Sequence, residues 1–224
     1  MAELTFTPEG HLYRLDGVPI PSTSQIIHDM GLTSFPPGID WQMTRGTHVH
    51  RATQLYDEGD LEEDSLDPVI MPYLKAYKRF KTETLFAPHH IEEPMYHPSY
   101  LYAGTVDRIG AFGVSDSHLA LVDIKSGSPY PAVSLQCAAY TEMAKANSIP
   151  VRRAFAVYLK PDGTYRMDEI RNMRRALNVF LSALTLYTWK KEVGIDGKGS
   201  NIQYRTRRGS ENSGNTGAGA GYYR

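Results

Sequence analysis

The chain predicts an α/β fold in which a mixed β-sheet is covered by helices. Three observations carry that prediction. Two segments with helical apolar spacing come first, at about 43–56 and 69–84. Strand-like runs then follow one another between His90 and Lys125. A helical segment, a further strand and a last helix complete the order.

Each element has a local reason. At the front, His11 to Leu15 and Val18 to Ile20 flank Asp16-Gly17, a strong turn signal between apolar runs, so this is a small hairpin. Pro21-Ser22-Thr23-Ser24 opens a short helix through Ile27 with a Ser or Thr as its N-cap, and Gly31 stops it. Val49, Ala52, Thr53 and Tyr56 mark one face of the helix at 43–56. Ile70, Tyr73, Leu74, Tyr77 and Phe80 mark the next. Strands are expected at His90 to His97, Tyr100 to Phe112 and His118 to Lys125, with Gly113 to Ser117 as a hairpin connection. Pro131 suits the first turn of a helix reaching about Asn147. Arg153 to Leu159 is a strand that turns at Asp162-Gly163 into Tyr165 to Met167. The last helix places Ile170, Met173, Leu177, Phe180, Leu181 and Leu184 on one face.

Length and composition bound the function. At 224 residues, 41% apolar and 22% charged, the chain suits one soluble domain. That domain is expected over 1–193, with its core at about 43–160 and the hairpin and short helix at 1–42. Residues 194–224 hold eight of the nineteen glycines and read as a flexible basic tail. No apolar run approaches a membrane span, and the first ten residues lack the pattern of a secretory signal. The single cysteine, Cys137, excludes an intramolecular disulfide, a cysteine-based zinc site and a four-cysteine iron–sulfur cluster, and a cytoplasmic setting is expected. With a net charge of −1, any contact with a polyanion must come from local patches. Seven acids between Asp57 and Asp67 read as a solvated face. Seven bases against three acids between Val151 and Arg175 form a candidate phosphate-binding strip.

The chemistry concentrates in three short pieces. Asp123 and Lys125 lie two apart in a strand and share a face, while Val122 and Ile124 point to the opposite, apolar one. Charges in such a strand need a reason. Asp107 lies in the preceding strand, where cross-strand pairing brings its carboxylate near Asp123. Two close carboxylates repel unless a cation sits between them, and oxygen donors suit Mg2+ or Mn2+. Lys125 beside that ion suits metal-assisted phosphodiester hydrolysis. Gln136 and Tyr140 share a face of the following helix, and Arg45 is a candidate phosphate contact.

Gly104-Thr105-Val106-Asp107, Asp123-Ile124-Lys125-Ser126-Gly127 and Gln136-x-x-x-Tyr140 together resemble the PD-(D/E)XK nuclease superfamily. They are most similar to its RecB-like exonuclease lineage, which also resembles the mitochondrial genome maintenance exonuclease. Gly46-x-x-x-His50 resembles the upstream histidine motif, and the run from His11 to Ser22 resembles the leader of phage-type members. The resemblance implies a restriction-endonuclease-like core. It implies a metal-dependent DNA exonuclease of DNA processing, recombination or replication, in a bacterial or phage-infected cell. Asp107, Asp123, the Ile124 carbonyl and His50 would hold the metal. Lys125 would stabilise the attacking hydroxide or the transition state. Gln136 and Tyr140 would position the DNA backbone and the Lys125 strand. Glu92 or Glu93 fits an accessory acid, and the motifs do not choose between them. A recombinase, helicase or single-strand-binding protein is an expected partner. The chain departs from the pattern in having Val106 before Asp107, and Gln54 where relatives often place Glu.

Two other readings compete. His48-x-His50 with a carboxylate would suit a non-haem iron site if both imidazoles lay on one strand face. A non-catalytic nucleic-acid-binding module on the same fold is the other. On sequence alone, Asp123→Ala or Lys125→Ala is expected to abolish cleavage and leave folding nearly intact.

Overall fold

The computed structural model describes residues 2–33, 40–113 and 118–195. The hairpin connection expected up to Ser117 and most of the tail expected over 194–224 lie outside these residues.

A three-stranded antiparallel sheet opens the chain, β1 (Leu4–Thr7), β2 (Leu12–Leu15) and β3 (Val18–Ile20). Asp16 and Gly17 both have positive φ, 49° and 79°, which gives the β2–β3 turn a twist matching its strands. The sequence reading did not include β1, whose four residues pair in register with β2. Ser22 caps α1 (Thr23–Asp29) by accepting the Gln25 N–H.

Two helices follow, α2 (Asp40–Glu58) and α3 (Met71–Thr84), the latter started by a proline in its first turn. The central sheet then begins with β4 (Phe86–Tyr96), β5 (Ala103–Phe112) and β6 (Leu119–Lys125). After α4 (Val133–Ala146) come β7 (Val151–Leu159), β8 (Tyr165–Glu169) and α5 (Met173–Glu192). Tyr100 and Leu101 precede β5 rather than belonging to it, because His97 and Leu101 close a turn there by backbone hydrogen bonds.

The five strands stand in sequence order. β4, β5 and β6 form an antiparallel meander, β6 and β7 are parallel, and β8 returns antiparallel to β7. The parallel pair needs a long connection, and α4 supplies it. The architecture is the expected mixed sheet flanked by helices.

Strand alternation splits the core in two. Leu121 packs with Ile26, Met143 and Phe180 from α1, α4 and α5. Val122 and Ile124 pack with Val49, Tyr77 and Phe80 from α2 and α3. Asp123 therefore shares the α4 side with Leu121, in a strand whose neighbours on both faces are buried.

Candidate active site

The site forms where the β5–β6 ladder ends. Paired residues run from Gly110 opposite Ala120 to Arg108 opposite Val122, and there the regular pairing stops. The next position is taken by a side chain, since Asp107 Oδ2 accepts the Ile124 N–H at 2.6 Å. Asp107 is thereby fixed at the strand splay with its second oxygen turned elsewhere. Asp107 Oδ1 lies 3.5 Å from His50 Nδ1 on α2.

A strained residue supplies the second carboxylate. In the β4–β5 register Ile91 faces Arg108 and Glu93 faces Val106, which leaves Glu92 opposite Asp107. Glu92 has φ of 44°, in the left-handed region that a non-glycine rarely adopts inside a strand. Its Oε1 lies 3.2 Å from His50 Nδ1. One donor atom each from His50, Glu92 and Asp107 fall within 4.8 Å of one another, a group able to hold a metal ion. Glu93 points away and pairs with His90 at 2.5 Å. Of the two acids left open in the sequence, Glu92 is the one that lies beside His50 and Asp107.

Asp123 stands outside that group and is buried. Its Oδ2 is 2.7 Å from Lys125 Nζ, and its Oδ1 has no hydrogen-bond partner among the described residues. A buried carboxylate oxygen without a donor is costly unless something cationic meets it.

The electrostatics follow from this crowding. Burial alone would lower the His50 pKa, but Asp107 and Glu92 outweigh it and hold it up at about 9. Burial lifts the Asp107 carboxyl to about 6, against the pull of His50 and helped by Asp123 and Glu92. Burial also opposes charge on Lys125, yet Asp123 and Asp107 keep it well above the ordinary lysine value. Lys125 is thus a fixed positive charge rather than a base. His50, protonated between two carboxylates, occupies the electrostatic position a metal cation would take.

The other sequence candidates fall around this centre. His48 is exposed on α2, two residues from His50 and on the same helix. The single strand face that an iron site would need from these imidazoles is therefore not formed. Tyr140 is buried and packs over Gly104, where an added Cβ would come within 2.5 Å of its ring. Gln136 Nε2 donates to the Tyr140 hydroxyl at 3.2 Å. Arg45 Nη2 donates to the Ser126 carbonyl at 2.8 Å, and its guanidinium lies over the Tyr73 ring. Arg45 also lines a groove of about 910 Å3 with Ser126, Tyr130, Tyr158, Lys160 and Arg166. In the basic strip, Arg153 pairs with Glu169 and Arg166 with Asp168. His97 is buried and accepts the Ser99 and Tyr100 N–H groups, a structural role.

Sequence reasoning missed a buried ion network behind Glu92. Arg108, fully buried, donates to Asp57 Oδ2 at 2.7 Å and to Glu92 Oε1 at 2.8 Å. The Asp57 side chain is also fully buried and pairs with Lys81. Asp57 is therefore not part of a solvated acidic face. The signal was present, since Asp57 lies four residues after the buried Thr53 on the apolar face of α2.

No protein-family profile matches the chain. No curated protein matches it either. Among solved structures, it is similar to a candidate exonuclease from Eubacterium rectale, with 11% identity, a TM-score of 0.47, and coverage of 88% of this chain and 84% of that one. It is also similar to an alkaline exonuclease from Laribacter hongkongensis, with 14% identity, a TM-score of 0.37, and coverage of 78% and 93%. A complex of the latter enzyme with dAMP gives 13% identity and a TM-score of 0.30 over 79% and 94%. The five-stranded mixed sheet with flanking helices is consistent with a restriction-endonuclease-like fold.

Proposed function

We propose that the chain is a divalent-metal-dependent deoxyribonuclease that works as an exonuclease. The observation that carries this reading is the grouping of His50, Glu92 and Asp107 donor atoms at one strand splay, with the buried Asp123–Lys125 ion pair close enough to act on the Asp107 carboxylate. The orphaned Asp123 Oδ1 and the His50, Glu92 and Asp107 donors fit a hard divalent ion. Asp107, His50 and Asp123 would hold Mg2+ or Mn2+, with Glu92 beside them and the Ile124 carbonyl contributing. When bound, such an ion supplies an acidified water and offsets charge on the phosphate.

The chain's own groups supply the rest. Lys125, kept protonated by its carboxylate neighbours, stabilises the charge that develops on phosphate oxygens as water attacks phosphorus and the ester P–O bond breaks. Gln136, through its bond to Tyr140, positions the DNA backbone beside the Lys125 strand. Arg45 and the groove beyond Ser126 take the phosphates of the flanking strand, an electrostatic contact that weakens with salt. The nuclease domain then spans 1–193, with residues 194–224 as an appended basic tail.

The test is an assay on end-labelled linear, circular and single-stranded DNA with Mg2+ or Mn2+. Linear DNA is degraded from its ends, circular DNA stays intact, and EDTA or Asp107→Asn stops the reaction. Binding without cleavage under all these conditions contradicts the reading.

Metal binding carries a defined pH dependence. With its pKa near 9, His50 is protonated at neutral pH, and a cation ligated there displaces that proton. Mn2+ affinity therefore rises with pH, by up to about tenfold per unit, and levels off above about 9. In metal-free protein the sign is opposite. The raised His50 pKa adds stability that is fully present below about 6.5 and is lost as pH rises through about 9. Calorimetric titration with Mn2+ across pH 6.5 to 9 checks the first statement, and a flat affinity contradicts it.

A further inference from the structure

We propose that Arg108 is a positioning residue for the cation site, clamped by Asp57 so that it holds the Glu92 carboxylate against His50 and Asp107. The inference rests on the cation reading above. Arg108 spends every arm of its guanidinium on a named acceptor. Nε donates to Asp57 Oδ2 at 2.7 Å and Nη2 to Thr53 Oγ1 at 3.1 Å, both on α2. Nη1 donates to Glu92 Oε1 at 2.8 Å and to the Asp107 carbonyl at 2.6 Å. Asp57 is itself held by Lys81 Nζ and the Tyr77 hydroxyl, each at 2.5 Å. The fork therefore springs from β5, is anchored on α2 and reaches across to Glu92 on β4.

The anchoring has a purpose beyond filling the core. Glu92 keeps a left-handed backbone inside a strand, a conformation that persists only under constraint. Its carboxylate oxygen is shared between Arg108 and His50. Asp57 and Glu92 are balanced by Arg108 and Lys81, so the network is neutral within itself. Lysine in place of Arg108 keeps the charge but cannot span Asp57 and Glu92 at once, because the reach depends on the planar fork. A purely structural Arg108 affects stability alone. A positioning Arg108 sets metal affinity, and does so through Glu92.

The experiment is a calorimetric titration of the metal-free full chain with manganous chloride, comparing wild type, Arg108→Lys, Glu92→Gln and the double variant. Near-ultraviolet circular dichroism confirms that each is folded. Arg108→Lys is expected to weaken Mn2+ binding about tenfold or more, as loss of an outer-shell partner does. The double variant is expected to bind no more weakly than Glu92→Gln, to within about twofold. Wild-type affinity in Arg108→Lys, or losses that multiply in the double variant, overturns the proposal. Where Arg108→Lys does not fold, Tyr77→Phe removes one hydrogen bond from the Asp57 oxygen that clamps Arg108 Nε, without touching His50, and enters the same cycle. A drop of about threefold that disappears in the Glu92→Gln background supports the proposal, and an equal drop in both backgrounds overturns it. No Mn2+ binding by the wild type would instead overturn the cation reading itself.

Discussion

On the proposed nuclease reading, Lys125→Met is expected to lower DNA cleavage by about 1,000-fold or more and to leave Mn2+ binding in place. The Lys125 ammonium is held charged in a buried site, where a fixed positive group acts on developing phosphate charge far more strongly than it would in water. Stability also responds, and here the structure changes the expectation drawn from sequence. Asp123 is buried, so removing Lys125 leaves its carboxylate without its positive partner. Breaking such a pair costs about 3–5 kcal/mol. Folding is therefore not left intact in metal-free protein, and Mn2+ restores part of the loss by binding only the folded state. Steady-state assays together with thermal melts, with and without Mn2+, test both halves. A variant that keeps full activity removes Lys125 from the chemistry.

Gly110→Ala destabilises the chain by about 3 kcal/mol or more. A Cβ at Gly110 would stand 2.1 Å from the Ala87 carbonyl oxygen and 2.8 Å from Pro88 Cα, both backbone atoms of the paired strand β4. Backbone atoms cannot rotate aside as a flexible side chain would. The clash falls beside the register shift between Pro88 and His90, so relief requires repairing β4 against β5 along the strand that presents Glu92. For a chain of this size the melting temperature falls by about 6–12 °C. Thermal denaturation of the purified variant reads it directly, and a midpoint within about 1–2 °C of wild type contradicts the packing described here.

Much of this was legible in the sequence because it rests on local rules. Val122 and Ile124 against Asp123 and Lys125 is a period-two pattern, and it places the charged pair on one face of a buried strand. Asp16-Gly17 fixes the front turn through positive φ at both residues. Glu92 was not separable from Glu93, because what distinguishes them is a left-handed backbone that leaves no mark on a glutamate in the sequence. Arg108 and Asp57 are 51 residues apart, and nothing local announces that they meet. An arginine between Val106, Asp107 and Ile109 in an apolar strand does announce that some acid must answer it. The strand β1 was missed for a related reason, since its four residues gain meaning only by pairing with β2 across a turn.

The proposed nuclease chemistry requires a divalent ion among these side chains. Anomalous scattering from a crystal soaked in Mn2+ tests it most directly. A peak within about 2.0–2.5 Å of the Asp107 carboxylate and the His50 imidazole is expected. The absence of a peak there, or a peak only at exposed acids elsewhere on the surface, would contradict it.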